Sequence, residues 1–146
     1  MKIGFTGTQI GMTNIQKDML RAFLDMGCDE FHHGCCIGAD SEAHQIAKEM
    51  GFRIVLHPPI NQSKQDLTLV GDETRTPKDY LDRNHDIVDA TDIMIACPKS
   101  NSEELRSGTW ATVRYAVKTG RQICLLLPNG EVGGEMKFLK LASISN

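Results

Sequence analysis

Three short stretches of this 146-residue chain carry residue types that can hold a charged ligand. Thr6-Gly7-Thr8 offers a glycine, which lets the backbone approach a ligand closely, between two hydroxyl donors. An ordinary strand-to-helix turn is the alternative. Gly34-Cys35-Cys36-Ile37-Gly38-Ala39-Asp40 places two glycines and a carboxylate just before an amphipathic run. Asp40 is the candidate acid or base there, or it caps the helix that follows. Ser107-Gly108-Thr109 precedes a second amphipathic run. A helix opening at that point presents free N–H groups and the positive end of its dipole, which together suit a phosphate. Its alternative is a serine cap with no ligand. Arg83-Asn84 adds a guanidinium that can grip a phosphate or carboxylate with two parallel hydrogen bonds, or else a solvated surface arginine. Neither a Gly-x-Gly-x-x-Gly fingerprint nor a Gly-Lys-Ser/Thr phosphate loop is present.

His32-His33-Gly34-Cys35-Cys36 has zinc-ligand residue types without zinc-ligand spacing. Neighbouring residues of a strand point to opposite faces, so His32 and His33 do not share an ion. No metal is expected; the pattern predicts one buried histidine, one exposed histidine and buried thiols. Trp110, the single tryptophan, is expected in the core or at an interface rather than stacked on a base. Met19, Met26, Met50 and Met94 fall on apolar stripes and are expected in the core.

The elements that must position these residues alternate along the chain. Strands are predicted at Lys2–Thr6, about Glu30–His33, Arg53–His57, Ile93–Cys97 and Ile123–Leu127. The first helix starts near Thr13, where Thr13 and Gln16 have capping-box spacing, and Ile15, Met19, Ala22, Phe23 and Met26 form its apolar stripe. A second helix buries Ala43, Ile46, Ala47 and Met50. A third is predicted from a Thr76 cap with Pro77 at its first position, through Tyr80, Leu81, Asn84, Ile87 and Val88. A fourth opens at Ser107 and buries Val113, Ala116 and Val117. Two polar loops, Asn61–Arg75 and Pro98–Arg106, lack a clear period, and loops of such length are usually functional or mobile.

Continuous apolar strands between helices imply a parallel sheet covered on both faces. The expected fold is an α/β Rossmann-like three-layer sandwich of about five strands in the order 3-2-1-4-5, occupying residues 1–128, with a C-terminal tail over 129–146. The switch point lies beside strand one. The polar loops after strands one, two and four therefore converge at the carboxyl ends of the strands, where open α/β sheets bind ligands.

Composition narrows the function classes. A 40% hydrophobic and 24% charged content fits a globular domain. The net charge of −3 and pI near 5.9 speak against broad nucleic-acid binding, which needs a basic face. No apolar run reaches the length of a membrane span, and no signal-peptide pattern opens the chain. Five cysteines do not form a disulfide framework, so reduced thiols and a cytoplasmic location are expected.

The order of these motifs resembles a known group. Gly34 through His44 resembles the Gly-x-Ala-x-Gly-Ile-Asp-x-x-Ala-His stretch of the DNA-processing protein A (DprA/Smf) family. Arg83-Asn84 and Ser107-Gly108-Thr109-Trp110-Ala111-Thr112 resemble its Arg-Asn and Ser-Gly-Ser-x-x-Thr elements. The resemblance runs from Thr6 to Pro128 and places the chain with the SLOG superfamily, which includes Lonely-guy phosphoribohydrolases and molybdenum-cofactor carrier-like proteins. It implies a Rossmann-like fold, a nucleotide or nucleic-acid phosphate ligand, and a homodimer or higher homo-oligomer. Two departures limit it. The flanking domains usual in the DNA-processing proteins are not in this sequence, and Thr112 stands where a Lonely-guy enzyme carries its catalytic glutamate.

The expected function is binding or sensing of a nucleotide-derived, phosphate-bearing small molecule, with no required cofactor. Phosphate would sit on Gly108 and Thr109 beside Ser107, with Arg83 and Asn84 at hand. Gly7, Thr8, Gly34, Gly38, Ala39 and Asp40 would line the rest of the site. The alternatives are a hydrolase of an N-glycosidic or phosphate-ester bond using Asp40, and a stand-alone single-stranded-DNA-binding relative.

Overall fold

The computed structural model describes residues 1–132. Six parallel strands form one sheet: β1 (Lys2–Gly7), β2 (Glu30–His33), β3 (Arg53–Leu56), β4 (Glu73–Thr74), β5 (Ile93–Cys97) and β6 (Gln122–Leu125), in the order β4-β3-β2-β1-β5-β6. The five strands expected from the sequence pair in the expected order. The correction is a sixth, the two-residue β4, which lies within the polar stretch Asn61–Arg75 and pairs with the outer edge of β3. It was hidden because two residues carry no readable alternation.

Four helices cover the sheet: α1 (Asn14–Leu24), α2 (Ala39–Glu49), α3 (Tyr80–Ala90) and α4 (Gly108–Lys118). Alternate strand residues feed two cores. Ile93, Ile95 and Cys97 of β5 join Phe5, Phe31, Leu20 and Ile46 on the α1–α2 face. Met94 and Ala96 of the same strand join Ile87, Val88, Trp110 and Val113 on the α3–α4 face. A strand buried on both faces needs apolar residues throughout, which explains the unbroken Ile-Met-Ile-Ala-Cys run. Trp110 sits in the second core, as expected.

Several local expectations need correction. The capping box of Thr13 and Gln16 forms, but the buried stripe of α1 is Gln16, Leu20, Phe23 and Leu24. Ile15 and Met26 are 49% and 56% exposed, and Ala22 is exposed too. The phase is set by Gln16, a polar residue that goes inside because its amide donates to Pro98 O and Leu126 O, both at 2.9 Å. A fully partnered buried amide took a place that a count of apolar residues assigns to a hydrocarbon. Of the four methionines, Met94 is buried, Met19 and Met50 pack half-buried on the core, and Met26 is outside it.

α3 starts later than the Thr76-Pro77 signal predicts. Its cap is Asp79, whose side chain accepts from Asp82 N at 2.9 Å. Lys78 instead pairs in extended form with Pro59, and Ile60 N donates to Lys78 O at 2.9 Å. Leu81, on α3, is exposed. His32 and His33 are both buried, correcting the one-in, one-out expectation. Each finds a ring partner on its own side of the sheet: His32 Nδ1 lies 2.8 Å from His57 Nε2, and His33 Nε2 lies 2.9 Å from His44 Nδ1.

Of the expected tail, residues 129–132 turn back on the end of β6, where Leu127 N donates to Glu131 O at 2.9 Å and Val132 bridges Leu126. The rest of that segment, 133–146, lies outside the described residues. Among the described residues no helix is long and apolar enough to cross a membrane.

Candidate functional site

A cleft of about 730 Å³ opens at the carboxyl ends of β1, β2 and β5, beside the point where the chain crosses from one side of β1 to the other. That volume is in the range of small-molecule sites. Nine of the eleven candidate residues line it: Gly7, Thr8, Gly34, Asp40, Arg83, Asn84, Ser107, Gly108 and Thr109. Gly38 and Ala39 stand outside it. Gly38 caps α2 with φ +83°, and a Cβ there would overlap the Gln9 backbone, with Gln9 Cα at 2.8 Å. Ala39 gives its N–H to Thr8 O at 2.9 Å. These two residues seal the first strand-to-helix turn onto α2 rather than face a ligand.

The start of α4 is different. Ser107 caps it by accepting from Trp110 N at 3.3 Å, and Ala111 N bonds Ser107 O at 2.9 Å. Among the described residues no protein acceptor takes the N–H of Gly108 or Thr109, and a Cβ on Gly108 would meet nothing within 4 Å. The helix therefore presents two free donors and its positive dipole end to the cleft. Thr112 is buried outside the lining, and its hydroxyl donates back to Gly108 O at 3.0 Å.

Arg83 is not a surface arginine: it is 5% exposed. Its Nη1 donates to Gly34 O and to His57 O, the latter at 3.2 Å, and its Nε donates to Asn84 Oδ1 at 2.7 Å. Nη2 meets the Cys36 thiol at 3.8 Å, and the guanidinium carbon lies 5.5 Å from the Tyr80 ring centre. Protein acceptors, two of them backbone carbonyls on Nη1, thus occupy the fork expected to grip a phosphate. Gly34 is glycine for the same reason, since a Cβ there would lie 2.7 Å from the guanidinium carbon. Carbonyls hold the cation in place without neutralising it, so its charge still reaches the cleft.

Asp40 does not cap α2; the cap residue is Gly38, and no side chain bonds the helix start. The Asp40 carboxylate accepts from Cys36 N at 3.1 Å. Burial raises its pKa to about 6, against the pull of Arg83 and of backbone donors in the other direction. The neighbouring Cys36 thiol is pushed up by burial, helped by Asp40 and opposed by Arg83. It is therefore held protonated, which disfavours it as a nucleophile.

Beyond the eleven candidate residues the cleft also contains Gln9, Cys36, Asn61, Ser63, Lys64, Tyr80, Lys99, Glu104 and Arg106. Lys64, Arg83, Lys99 and Arg106 stand against Asp40 and Glu104, so the lining is cationic in an acidic chain. Lys99 lies 3.7 Å from Glu104. The available signal was the pair of polar loops, which supply six of these residues. Among the described residues no group of three or more His, Cys, Asp or Glu side chains is placed to hold a metal ion.

No family model matches the chain, and no curated protein matches it. Solved structures do. The molybdenum cofactor binding protein from the phototrophic bacterium Rippkaea orientalis superposes with a TM-score of 0.65 at 22% identity, covering 99% of this chain and 83% of that one. The Moco carrier protein from Chlamydomonas reinhardtii gives 0.59 at 19% identity, covering 97% and 83%. TM1055, a structural-genomics target, gives 0.61 at 16% identity, covering 84% and 72%. At these identities the shared property is the Rossmann-like fold.

Proposed function

We propose that this chain binds a phosphate-bearing, nucleotide-derived small molecule in the cleft and holds it without turnover. The open start of α4, inside a cationic cleft at the switch point, carries this reading. The phosphate rests on the N–H groups of Gly108 and Thr109, with Lys99, Arg106 and the buried Arg83 as counter-charges. Gly7, Thr8, Asn84 and Asp40 face the remainder of the ligand. The two neighbours that bind or carry the molybdenum cofactor put that cofactor in the set to be tested. A homo-oligomer and a cytoplasmic location belong to the same proposal.

The test is a thermal-shift panel of inorganic phosphate, nucleoside mono-, di- and triphosphates, and the molybdenum cofactor. A ligand at about a hundredfold over its Kd stabilises the folded state by about 2.7 kcal/mol, which moves Tm by several degrees. No shift with any member overturns the proposal.

A second reading is favoured by one observation. Asp40 is a buried carboxyl in the cleft with a pKa near 6, close to what general acid–base catalysis needs. A nucleotide hydrolase would then use Asp40 to protonate the leaving group or activate water. Release of free base or phosphate from a nucleoside monophosphate, lost in Asp40→Asn, would establish it; intact nucleotide after prolonged incubation would remove it.

A further inference from the structure

Residues 61–72 form a strap that carries Asn61, Ser63 and Lys64 into the cleft lining. It is clipped to the turn between β2 and α2. Ile37 N donates to Lys64 O at 2.9 Å, Asp66 N donates to Cys35 O at 2.8 Å, and the Ser41 hydroxyl donates to the Asp66 carboxylate. Its far end is tied by Ile54 N, which donates to the Asp72 carboxylate at 2.8 Å. Between these ties the Val70 backbone and the Asp66 and Asp72 carboxylates of the strap act electrostatically on the His44 ring.

His44 belongs to a relay of two rings. Cys35 N donates to His33 Nδ1 at 3.0 Å, so the His33 proton is on Nε2. His33 Nε2 faces His44 Nδ1 at 2.9 Å, so the His44 proton is on its own Nε2. Four ring nitrogens share two protons, and both of the unprotonated ones, His33 Nδ1 and His44 Nδ1, already accept a hydrogen bond. A third proton either sets two N–H groups head to head or deprives Cys35 N–H of its acceptor. Cys35 and Cys36 are the residues to which strap residues Asp66 and Gln65 are paired, so disturbing that turn disturbs the strap.

We infer that the His33–His44 pair is an acid-sensitive latch, and that uptake of one proton by it frees the strap from the mouth of the cleft. His32 and His57 behind His33, the Arg83 guanidinium, and Lys48 on α2 oppose that proton in the latched state. Asp66 and Asp72 on the strap favour it without overcoming burial, the largest influence on both rings. Both rings therefore titrate below the ordinary histidine value while latched and return toward it once released. The latched state is fully favoured above that ordinary value. As the pH falls below it, the latched-to-open ratio drops by up to about tenfold per pH unit for each proton taken up.

This inference goes beyond the ligand reading and is tested on the ligand-free chain, so the two can fail separately. The experiment is native-state amide exchange by NMR on the full chain between about pH 7 and pH 5, corrected for intrinsic exchange chemistry. The strap-clip amides of Ile37 and Asp66 should lose about tenfold or more of their protection relative to Ile95 in the central sheet. His44→Gln should remove that pH response, and His57→Gln, in the other ring pair, should keep it. Imidazole nitrogen shifts of the wild-type chain supply a readout that needs no variant: His33 or His44 should take up its proton over the range in which the clips open. Unchanged protection at Ile37 and Asp66, loss in step with Ile95, or opening while both rings stay neutral would each overturn the latch.

Discussion

Helices α2 and α4 start in similar ways and do different work. Each follows the carboxyl end of a strand, and each has a glycine at its first turn. At α2 the capping Gly38 is pressed onto the Gln9 backbone, and Thr8 O takes the first N–H of the helix. At α4 the cap is the Ser107 side chain, Gly108 faces open space, and the first two N–H groups have no acceptor among the described residues. The same local chemistry thus closes one helix start against the fold and leaves the other facing the cleft. A glycine-rich strand-to-helix turn identifies a place where backbone comes close to something; the surroundings decide whether that something is protein or ligand.

The contrast breaks most easily at Gly38. Gly38→Ala introduces a Cβ into the Gln9 backbone at a φ of +83°, with a ψ of −124° that L side chains avoid. A loss of more than about 3 kcal/mol in urea unfolding is expected. A loss below about 1 kcal/mol would mean that α2 is not sealed in this way.

Asp40, in the first turn of the closed helix, tests the same surroundings through pH. Its folded pKa of about 6 lies above the ordinary aspartate value, so the folded state holds its proton more tightly than the unfolded one. Its contribution is most favourable below about pH 4 and is lost as the pH rises through 6, by up to about 3 kcal/mol. Asp40→Asn should abolish that part of the stability profile, read from unfolding midpoints across this window. The buried histidines act with the opposite sign. His57, held at about 4 chiefly by burial, contributes stability above about 6.5 that is lost as the pH falls toward 4. A wild-type profile with no Asp40 midpoint near 6 by carboxyl-carbon NMR would refute the burial argument.

At the open helix the cap itself should be worth less. Ser107→Ala removes the acceptor for Trp110 N and should cost about 1 kcal/mol in unfolding, with α4 otherwise intact. A cost near 3 kcal/mol would show Ser107 tied into the fold as firmly as Gly38.

The sequence made the sheet legible because strands such as β5, buried on both faces, read as apolar runs between amphipathic helices, whereas β2, Glu-Phe-His-His, gave the weakest signal. The convergence of loops at the switch point followed from topology, which is why nine candidate residues reached the cleft. What stayed hidden depends on partners distant in sequence. Gln16 went inside because two carbonyls 82 and 110 residues away accept its amide. Arg83 was buried because Gly34 and His57 supply carbonyls to it. Gly38 and Ala39 left the site because Thr8 and Gln9 occupy the space before any ligand could. In each case the residue type allowed two fates, and a contact across the fold selected one.

The smallest effect on stability is also the sharpest test of the contrast. Gly108→Ala is the chemical counterpart of Gly38→Ala, yet its Cβ meets no protein atom within 4 Å. Alanine is a better helix former than glycine, so the change should be neutral or stabilising by up to about 1 kcal/mol. Its methyl group would project into the space where a phosphate approaches the N–H groups. The affinity for whichever phosphate compound raises Tm in the wild-type chain should therefore fall about tenfold, about 1.4 kcal/mol, by calorimetric titration. A variant that is more stable and binds less tightly locates the ligand at α4. Unchanged affinity would place the ligand elsewhere in the cleft and remove the functional half of the contrast.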